Sequence, residues 1–587
     1  MADQQIKNVP DSPTPTPPQS GAERFVGHAN LMSKLTFLSR ISGLARDKAC
    51  SYFLGVGTTW SAFWIGFQFP NLFRRIFGEG ALTAIFLPVY TRVLAESGPQ
   101  AAQALARRVF AILALVLLII VAAAEAVAIP IALSHAVLAN NRLAAGMVAI
   151  MLPYCIAICL VALLGAMAAA HERFAAQSLM PMVANGAMIL AAAVPVAIWT
   201  RHYPLDRRIV WVAGAVLASG LVQLAIMLLN VGRAGIHLTG ILKTTHAGHA
   251  EIAGPAVRLI TRRMLPMVLG LSAVQLNTFL DSQIAWWFSP DGHDGLSHFH
   301  LLGRLIATPM LAGALGKLSV AQRIYLLPVG IFGVATATAV FPQLSRAAVA
   351  GDMPEIKRLT RAAIAKSLFL SLPAAIGMII ICPMLISAIY LGGRVNAADV
   401  ARAVWAARWY CAGIWAFELQ MILVRVFYAM DDAQTPMKTA AAMVLLNITL
   451  NLILIWPMRE GGIAASTSIS AAIQCLVLLW LLRRRIGLLG LKRLSGHIFK
   501  TLVVTAAMGA AALLVNFAVG RITQLGPVYS LPAVAVRLPL VLLTAVLVFA
   551  AAARILNMEE LRQAPVIGRF ARRSTGARRG ERDRRPT

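Results

Sequence analysis

Apolar runs long enough to cross a lipid bilayer recur from one end of the chain to the other, and no other feature restricts its fold as severely. A hydrocarbon core of ~30 Å takes about 20 helical residues to cross. In lipid every backbone N–H and C=O must be bonded internally, which leaves helices or closed barrels. The runs are too long and too uniformly apolar for the alternating strands of a barrel. Of the 587 residues 59% are apolar and 13% charged, about half the charge of a soluble domain. The expected fold is an all-α polytopic membrane protein.

Fourteen spans are expected, near 31–55, 60–90, 108–133, 144–170, 178–199, 209–231, 257–287, 318–345, 363–391, 403–429, 437–457, 462–482, 498–519 and 532–556. An even count puts both termini on one side. The loops on that side, 232–263, 346–366 and 483–500, carry five, five and six Lys or Arg, and the opposite loops fewer. The positive-inside rule then places both termini in the cytoplasm. The net charge of +29 is concentrated in such loops and in a tail with ten arginines after Ala553. A tail beside a membrane is expected to read anionic headgroups rather than nucleic acid. All six cysteines fall in or beside apolar runs and read as small buried hydrophobes. Residues 1–28 include PDSPTPTPPQSG, are expected to be disordered, and lack the pattern of a cleaved signal peptide.

The sequence also echoes itself. FLPVYTR at the end of span 2 places Pro88 four residues before Arg92, and FPQLSR at the end of span 8 places Pro342 four before Arg346, an offset of 254. RFAAQSLMP after span 4 and FYAMDDAQTP after span 10 match at offsets of 254 and 255. Two related six-helix halves, with a site between them, are the expectation, as in many secondary transporters. The resulting division is a tail (1–28), a first lobe (29–233), a linker (234–256), a second lobe (257–485), two added helices (486–556) and a basic tail (557–587). The second lobe contains a long polar connection, 288–317. Its Asp291, His293, Asp294, His298 and His300 fit no defined ligand spacing, so a polar loop is expected and no metal.

Charge inside spans is the chemical signal. Span 1 contains Arg40, Arg46 and Asp47; span 2 contains Arg74, Arg75 and Glu79 after what reads as a break at Pro70. Each such charge costs about 2.5–3.5 kcal/mol on insertion scales, so together they imply a watered interior or an anionic ligand. Arg40 could snorkel to the interface, Arg46 could pair with Asp47, and Arg75 with Glu79 at i+4. For Arg75 the ion pair is the favoured reading; for Arg40, Arg46 and Arg74 it is ligand binding. Arg323 opens span 8 and either joins the same cavity or anchors the interface. Glu125, Asp281 and Glu418 are isolated acids that could serve as counter-ions or as proton or cation sites. Asn185, Asn277, Asn447 and Asn451 read as interhelical hydrogen-bond residues. No nucleotide-binding GxxxxGK[ST], HExxH or GxSxG occurs, so neither ATP-driven transport nor catalysis is expected, and no cofactor. Guanidinium groups in such a cavity suit phosphate through bidentate hydrogen bonds.

The stretches SRISGLARD, FPNLFRRIFGEGALTAIFLPVY, RFAAQSLMPMVAN, LPVGIFGVATATAVFPQLSRA and FYAMDDAQTPMK, in this order, resemble the MurJ/MviN lipid II flippases of the multidrug/oligosaccharidyl-lipid/polysaccharide exporter superfamily. The resemblance implies fourteen helices, two lobes around a cationic central cavity, two extra C-terminal helices, and alternating access. It implies lipid II as the substrate, an inner-membrane location, and action as a monomer among membrane lipids and cell-wall synthesis proteins. It places the substrate arginines at Arg40, Arg46, Arg74 and Arg323 and two gating or ion-pair acids at Asp47 and Glu79, to which the i+4 spacing adds Arg75. Three departures stand out: Ser61 where an aspartate is expected, Gln322 where an acid often precedes the arginine, and the longer 288–317 connection. Readings that compete are a flippase for another lipid-linked glycan, a drug or cation antiporter, and a non-transporting scaffold on the same fold.

Overall fold

The computed structural model describes residues 21–76, 82–173, 175–236, 247–290, 298–301, 304–487, 490–523, 530–558 and 560. The first half is built from α1 (Gly21–Leu54), α2 (Thr58–Phe73), α3 (Leu82–Leu133), α4 (Ala139–Met151), α5 (Tyr154–Ala170), α6 (Ala175–Ala191) and α7 (Leu205–Gly232). Next come α8 (Ala247–Trp287) and a hairpin of β1 (His298–Leu301) and β2 (Arg304–Ala307). The second half comprises α9 (Ala314–Pro328), α10 (Val334–Val349), α11 (Met353–Tyr390), α12 (Ala397–Ala412), α13 (Ile414–Ala429), α14 (Gln434–Met458) and α15 (Glu460–Ile486). Two further helices, α16 (Leu491–Thr523) and α17 (Leu531–Ile555), form a pair that packs on α11.

The expected spans fall on these helices; 178–199 continues past α6 as a π-helical segment, Ala192–Trp199, and 60–90 crosses residues 77–81, which lie outside the described residues. By length and composition alone, ten helices among the described residues could cross a membrane. The count reaches eleven if α12 and α13, bent by 41°, make one span. The difference from fourteen lies at α1, α2 and α8. Lys34, Arg40, Arg46, Asp47 and Lys48 interrupt the apolar character of α1, α2 has only 16 residues, and α8 carries Arg258, Arg262 and Arg263.

Four local expectations change. The first helix begins at Gly21, inside the stretch expected to be a disordered tail, because the prolines stop at Pro18. Helix α2 runs through Pro70, and its irregularity comes later, as a π-helical turn at 74–76. The 288–317 connection contains an antiparallel hairpin where a loop was expected. His298 and His300 lie on β1, whereas Asp291, His293, Asp294, Glu79 and the tail from 561 lie outside the described residues.

The internal echo has structural counterparts. Of two further π-helical segments, Val329–Gly333 matches the 74–76 turn near the 254 offset, whereas Ala192–Trp199 meets α-helix there. Gly98 breaks α3 with φ 82° and is followed by Pro99; Gly351 separates α10 from α11 with φ 67° and is followed three residues later by Pro354. Further along the register drifts. The turn residues Glu172 and Asp431 share φ values of 58° and 59° and stand 259 apart, so the second sequence match is shifted by several residues from the structural one.

Without a hydrophobic force between helices in lipid, close packing of small side chains holds such a bundle. Helix α5 shows this in the first half: Ala157, Ala162, Gly165, Ala166 and Ala168 are buried, and α3 and α7 close on it. In the second half α15 packs against α12, α13 and α14. Helix α8 joins the halves, touching α3 on one side and α14 on the other, and Trp286 Nε1 donates to Asn141 Oδ1 at 2.9 Å.

Candidate substrate cavity and its seal

At one end of the bundle the turn between α1 and α2 is gripped by two turns of the second half. Arg394 N donates to Tyr52 O at 3.1 Å, and Lys48 Nζ to Leu391 O at 2.9 Å. Gly316 N, in the first turn of α9, donates to Ser61 Oγ at 2.9 Å. Ser61 therefore satisfies, from a different helix, one of the amides that a helix start leaves without an internal partner. The backbones approach closely enough that side chains are excluded. A Cβ on Gly316 would lie 2.3 Å from Val56 O, and one on Gly393, where φ is +60°, would lie 2.2 Å from Tyr52 O. Behind this contact Lys317 pairs with Asp399 at 2.9 Å, and Arg402 pairs with Glu460 while donating to Ala312 O at 3.0 Å and Leu311 O at 3.2 Å. These buried charges brace the two second-half turns.

Inward from the seal, Asp47 bridges two arginines from opposite halves. Its Oδ1 accepts from Arg46 Nε at 2.9 Å, and its Oδ2 stands 3.2 Å from Arg323 Nε. Arg46 Nη1 also donates to Asn185 Oδ1 at 2.9 Å, and Asn185 Nδ2 donates to Ser42 Oγ at 2.9 Å, which fixes the guanidinium against α6. The side chains of Arg46 and Asp47 are 11% and 13% exposed, but that of Arg323 is 40% exposed and faces a cleft. The cavity it holds is about 90 Å³, well below the ~300–1,000 Å³ of a formed small-molecule site. One face of α2 (Trp64, Phe67, Gln68, Asn71), continued by Arg75 of the π-helical turn, forms one wall, and Gln275 and Phe279 of α8 with Gln322 and Arg323 of α9 form the other. Arg75 Nη1 donates to Gln275 Oε1 at 2.9 Å; Glu79, its expected i+4 partner, lies outside the described residues. Among the described residues that line this cleft the charged ones are Arg75 and Arg323, the latter paired behind the wall with Asp47.

The other sequence-derived residues are placed apart from it. Arg74 turns away from the cleft and donates to Asn71 Oδ1 at 3.0 Å. Arg40 lies against Gly330 of the π-helical segment, where an added Cβ would stand 3.2 Å from Nη2. Asp281 is buried within the second half, accepting from Asn451 Nδ2 at 2.6 Å and Thr467 Oγ1 at 3.1 Å. Glu418 is buried on α13 beside Gly333 and its Oε1 has no hydrogen-bond partner among the described residues. Glu125 sits alone on α3 among apolar side chains. Gln322 donates to Tyr410 Oη at 3.3 Å, so this departure from the family pattern is satisfied within its own half. Trp64, Gln275 and Tyr390 were missed by sequence reasoning, although the 64, 67, 68, 71, 75 spacing marks one helical face.

Residues 50–531 match the family described as lipid II flippase MurJ. The probable lipid II flippase MurJ of Rhizobium tropici is 29% identical over 482 residues, 81% of this chain and 84% of that one. That of Rickettsia prowazekii (strain Madrid E) is 28% identical over 446 residues, 75% of this chain and 80% of that one. Among solved structures, the lipid II flippase MurJ in an inward closed conformation is similar at a TM-score of 0.68 and 20% identity, over 90% of this chain and 99% of the other. An inward-facing multidrug resistance MATE family transporter of the MOP superfamily gives 0.58 at 14% identity, over 78% and 98%. These two likenesses speak for the fold, a polytopic bundle of two helical lobes. The match across most of the sequence carries the assignment further: the chain belongs to the lipid II flippase MurJ family.

Proposed function

We propose that this protein moves lipid II, the undecaprenyl-diphosphate-linked peptidoglycan precursor, from the cytoplasmic to the outer leaflet of a bacterial inner membrane by alternating access. The observation that carries this reading is the cleft between the halves, lined by Arg75 and Arg323 with no carboxylate among the described residues. A site for a cationic drug would need the opposite sign. With both termini in the cytoplasm, α1 ends at the outer face and the seal around Tyr52–Gly57 closes that side. The cleft is then entered from the cytoplasm.

Arg323 and Arg75 engage the diphosphate first. Arg46, held by Asp47, becomes available when the phosphate displaces the carboxylate from Arg323. Arg40 and Arg74, which stand apart from the cleft in this state, join the path only as the lobes move. As the lobes rock, the seal parts and the head group leaves outward. A membrane potential negative inside favours this by ~2.3 kcal/mol per anionic charge per 100 mV. Asp281, buried in a hydrogen-bonded network, and the unpartnered Glu418 are the better-placed groups for proton or cation coupling; Glu125 is remote from both lobes' polar interiors. The chain does this without a cofactor and without catalysis.

The test replaces the native flippase of a tractable bacterium with this chain and reads outer-leaflet lipid II with a probe that cannot cross the membrane. Restored signal that falls at least about tenfold in Arg46→Ala is expected, since a hydrogen bond to a charged group is worth ~1.5–3 kcal/mol. No restoration by a well-inserted protein would overturn the reading in favour of another lipid-linked glycan.

A further inference from the structure

The cleft is more than a phosphate site. Trp64 lines both the large cleft and a smaller cavity that reaches Asp47 and Tyr390, so its indole stands between the arginine pair and the open space. Arg323 Cζ lies 5.8 Å from the Trp64 ring centroid, within cation–π distance. Phe67 continues the aromatic wall, its ring 5.6 Å from that of Trp64 and tilted by 33°. Beside them Gln68 has a buried Oε1 with no hydrogen-bond partner among the described residues, whereas Gln275 and Gln322 already bond Arg75 and Tyr410.

These parts match a sugar joined to a phosphate. A pyranose ring has an apolar C–H face and a polar rim. The face stacks on an indole, and the rim's N–H and O–H groups seek acceptors. In a glycosyl diphosphate the ring is bonded directly to the phosphate, so a site that reads both must place an aromatic face next to a guanidinium. We propose that Trp64 is the stacking platform for the first sugar of the lipid-linked substrate, with Gln68 Oε1 accepting from its rim. Trp64 thereby separates glycosylated polyprenyl diphosphates from bare ones. This inference rests on the flippase reading above and names the part of its substrate that the cleft selects.

The experiment uses the full chain in lipid nanodiscs and two probes, undecaprenyl diphosphate and the same lipid carrying its saccharide. Trp64→Ala is expected to weaken the saccharide lipid about tenfold and the bare lipid by less than about threefold, an aromatic contact being worth ~0.5–1.5 kcal/mol. Trp64→Phe, which keeps a stacking face and the fold, should stay within about threefold of the parent for both. Equal losses for the two lipids in Trp64→Ala would overturn the platform, reducing Trp64 to a support for Arg323; so would no loss for either. Arg323→Ala separates the two levels of argument. If it weakens neither lipid, the flippase reading itself fails. If it weakens both while Trp64→Ala spares the saccharide lipid, only the platform fails.

Discussion

The two halves follow one plan and part company at a single helix. In the first half, 35 residues separate the left-handed Gly98 from Leu133, the end of α3; in the second, 39 separate Gly351 from Tyr390, the end of α11. The surplus is about one helical turn. It carries Tyr390 to the cavity beside Asp47, and the following turn, 391–396, onto the backbone of Tyr52. The equivalent turn of the first half, 134–138, bonds locally: Ala136 N donates to Ser134 Oγ at 3.3 Å, and His135 meets Arg142 at 3.1 Å. Closure at this end is therefore asymmetric. The second half reaches over, and the first half offers a glycine-flanked turn to be held. The second half contributes main-chain atoms to this contact, met by Tyr52 O, Lys48 Nζ and Ser61 Oγ, whereas deeper in, Arg46, Asp47 and Arg323 pair through their side chains.

If that asymmetry governs closure, Gly393→Ala has the largest effect. Left-handed backbone costs a non-glycine residue ~1–2 kcal/mol, and overpacking adds ~1–3 kcal/mol. The sealed state should lose at least about thirtyfold in population. Spin labels on Leu138 and Ala398, exposed residues at the same end of the two halves, would report it. All six native cysteines are buried and will not compete for label. An unchanged distance distribution would show that the 391–396 turn does not hold the halves together. Asp47→Asn is the next step down. It keeps the shape but removes the charge that Arg46 and Arg323 share, weakening closure by ~1–3 kcal/mol. On the proposed function, in which phosphate competes with Asp47 for Arg323, affinity for undecaprenyl diphosphate should rise as closure weakens. Loss of both, or change in neither, would separate the carboxylate from the gate.

Much of this was legible in the sequence, and the divide between legible and hidden is physical. Hydropathy located the helices because burial of the backbone in lipid leaves few alternatives. Intramembrane cost singled out Arg46, Asp47, Arg75 and Arg323, the charged residues around the cleft. Partner choice was hidden, since Asp47 and Arg323 are far apart in sequence, and so are Arg75 and Gln275. Proline as a helix-breaker placed the irregularity of span 2 at Pro70. The structure places it at 74–76, because a helix inside a bundle can absorb the lost hydrogen bond and release the strain a turn later as a π-helical turn. The glycine grip on Tyr52–Gly57 was invisible, as nothing local distinguishes a glycine that must admit a backbone from one that ends a helix.

Ser61 makes the smallest change and the sharpest test of how the halves divide the work. The family pattern leads one to expect an aspartate there, and the loss of that charge suggests a weakened gate. The hydrogen bond from Gly316 N argues otherwise, because it shows what any acceptor at this position does: it caps α9 from the opposite half. A hydroxyl fills that role as an uncharged cap. Removing it in Ser61→Ala should cost the sealed state ~1 kcal/mol, as other lost N-caps do, a shift of about fivefold in the Leu138–Ala398 distance populations. Ser61→Asp should preserve the acceptor and add a negative charge at the α9 N-terminus, worth ~0.3–1 kcal/mol toward closure. It should do so with weak dependence on salt, since Ser61 is buried at the contact. If Ser61→Asp instead opens the seal, an unpaired carboxylate has been forced between two backbones. The aspartate of the family would then need a cation here that this chain does not supply, and closure by main-chain contact would be this protein's own solution.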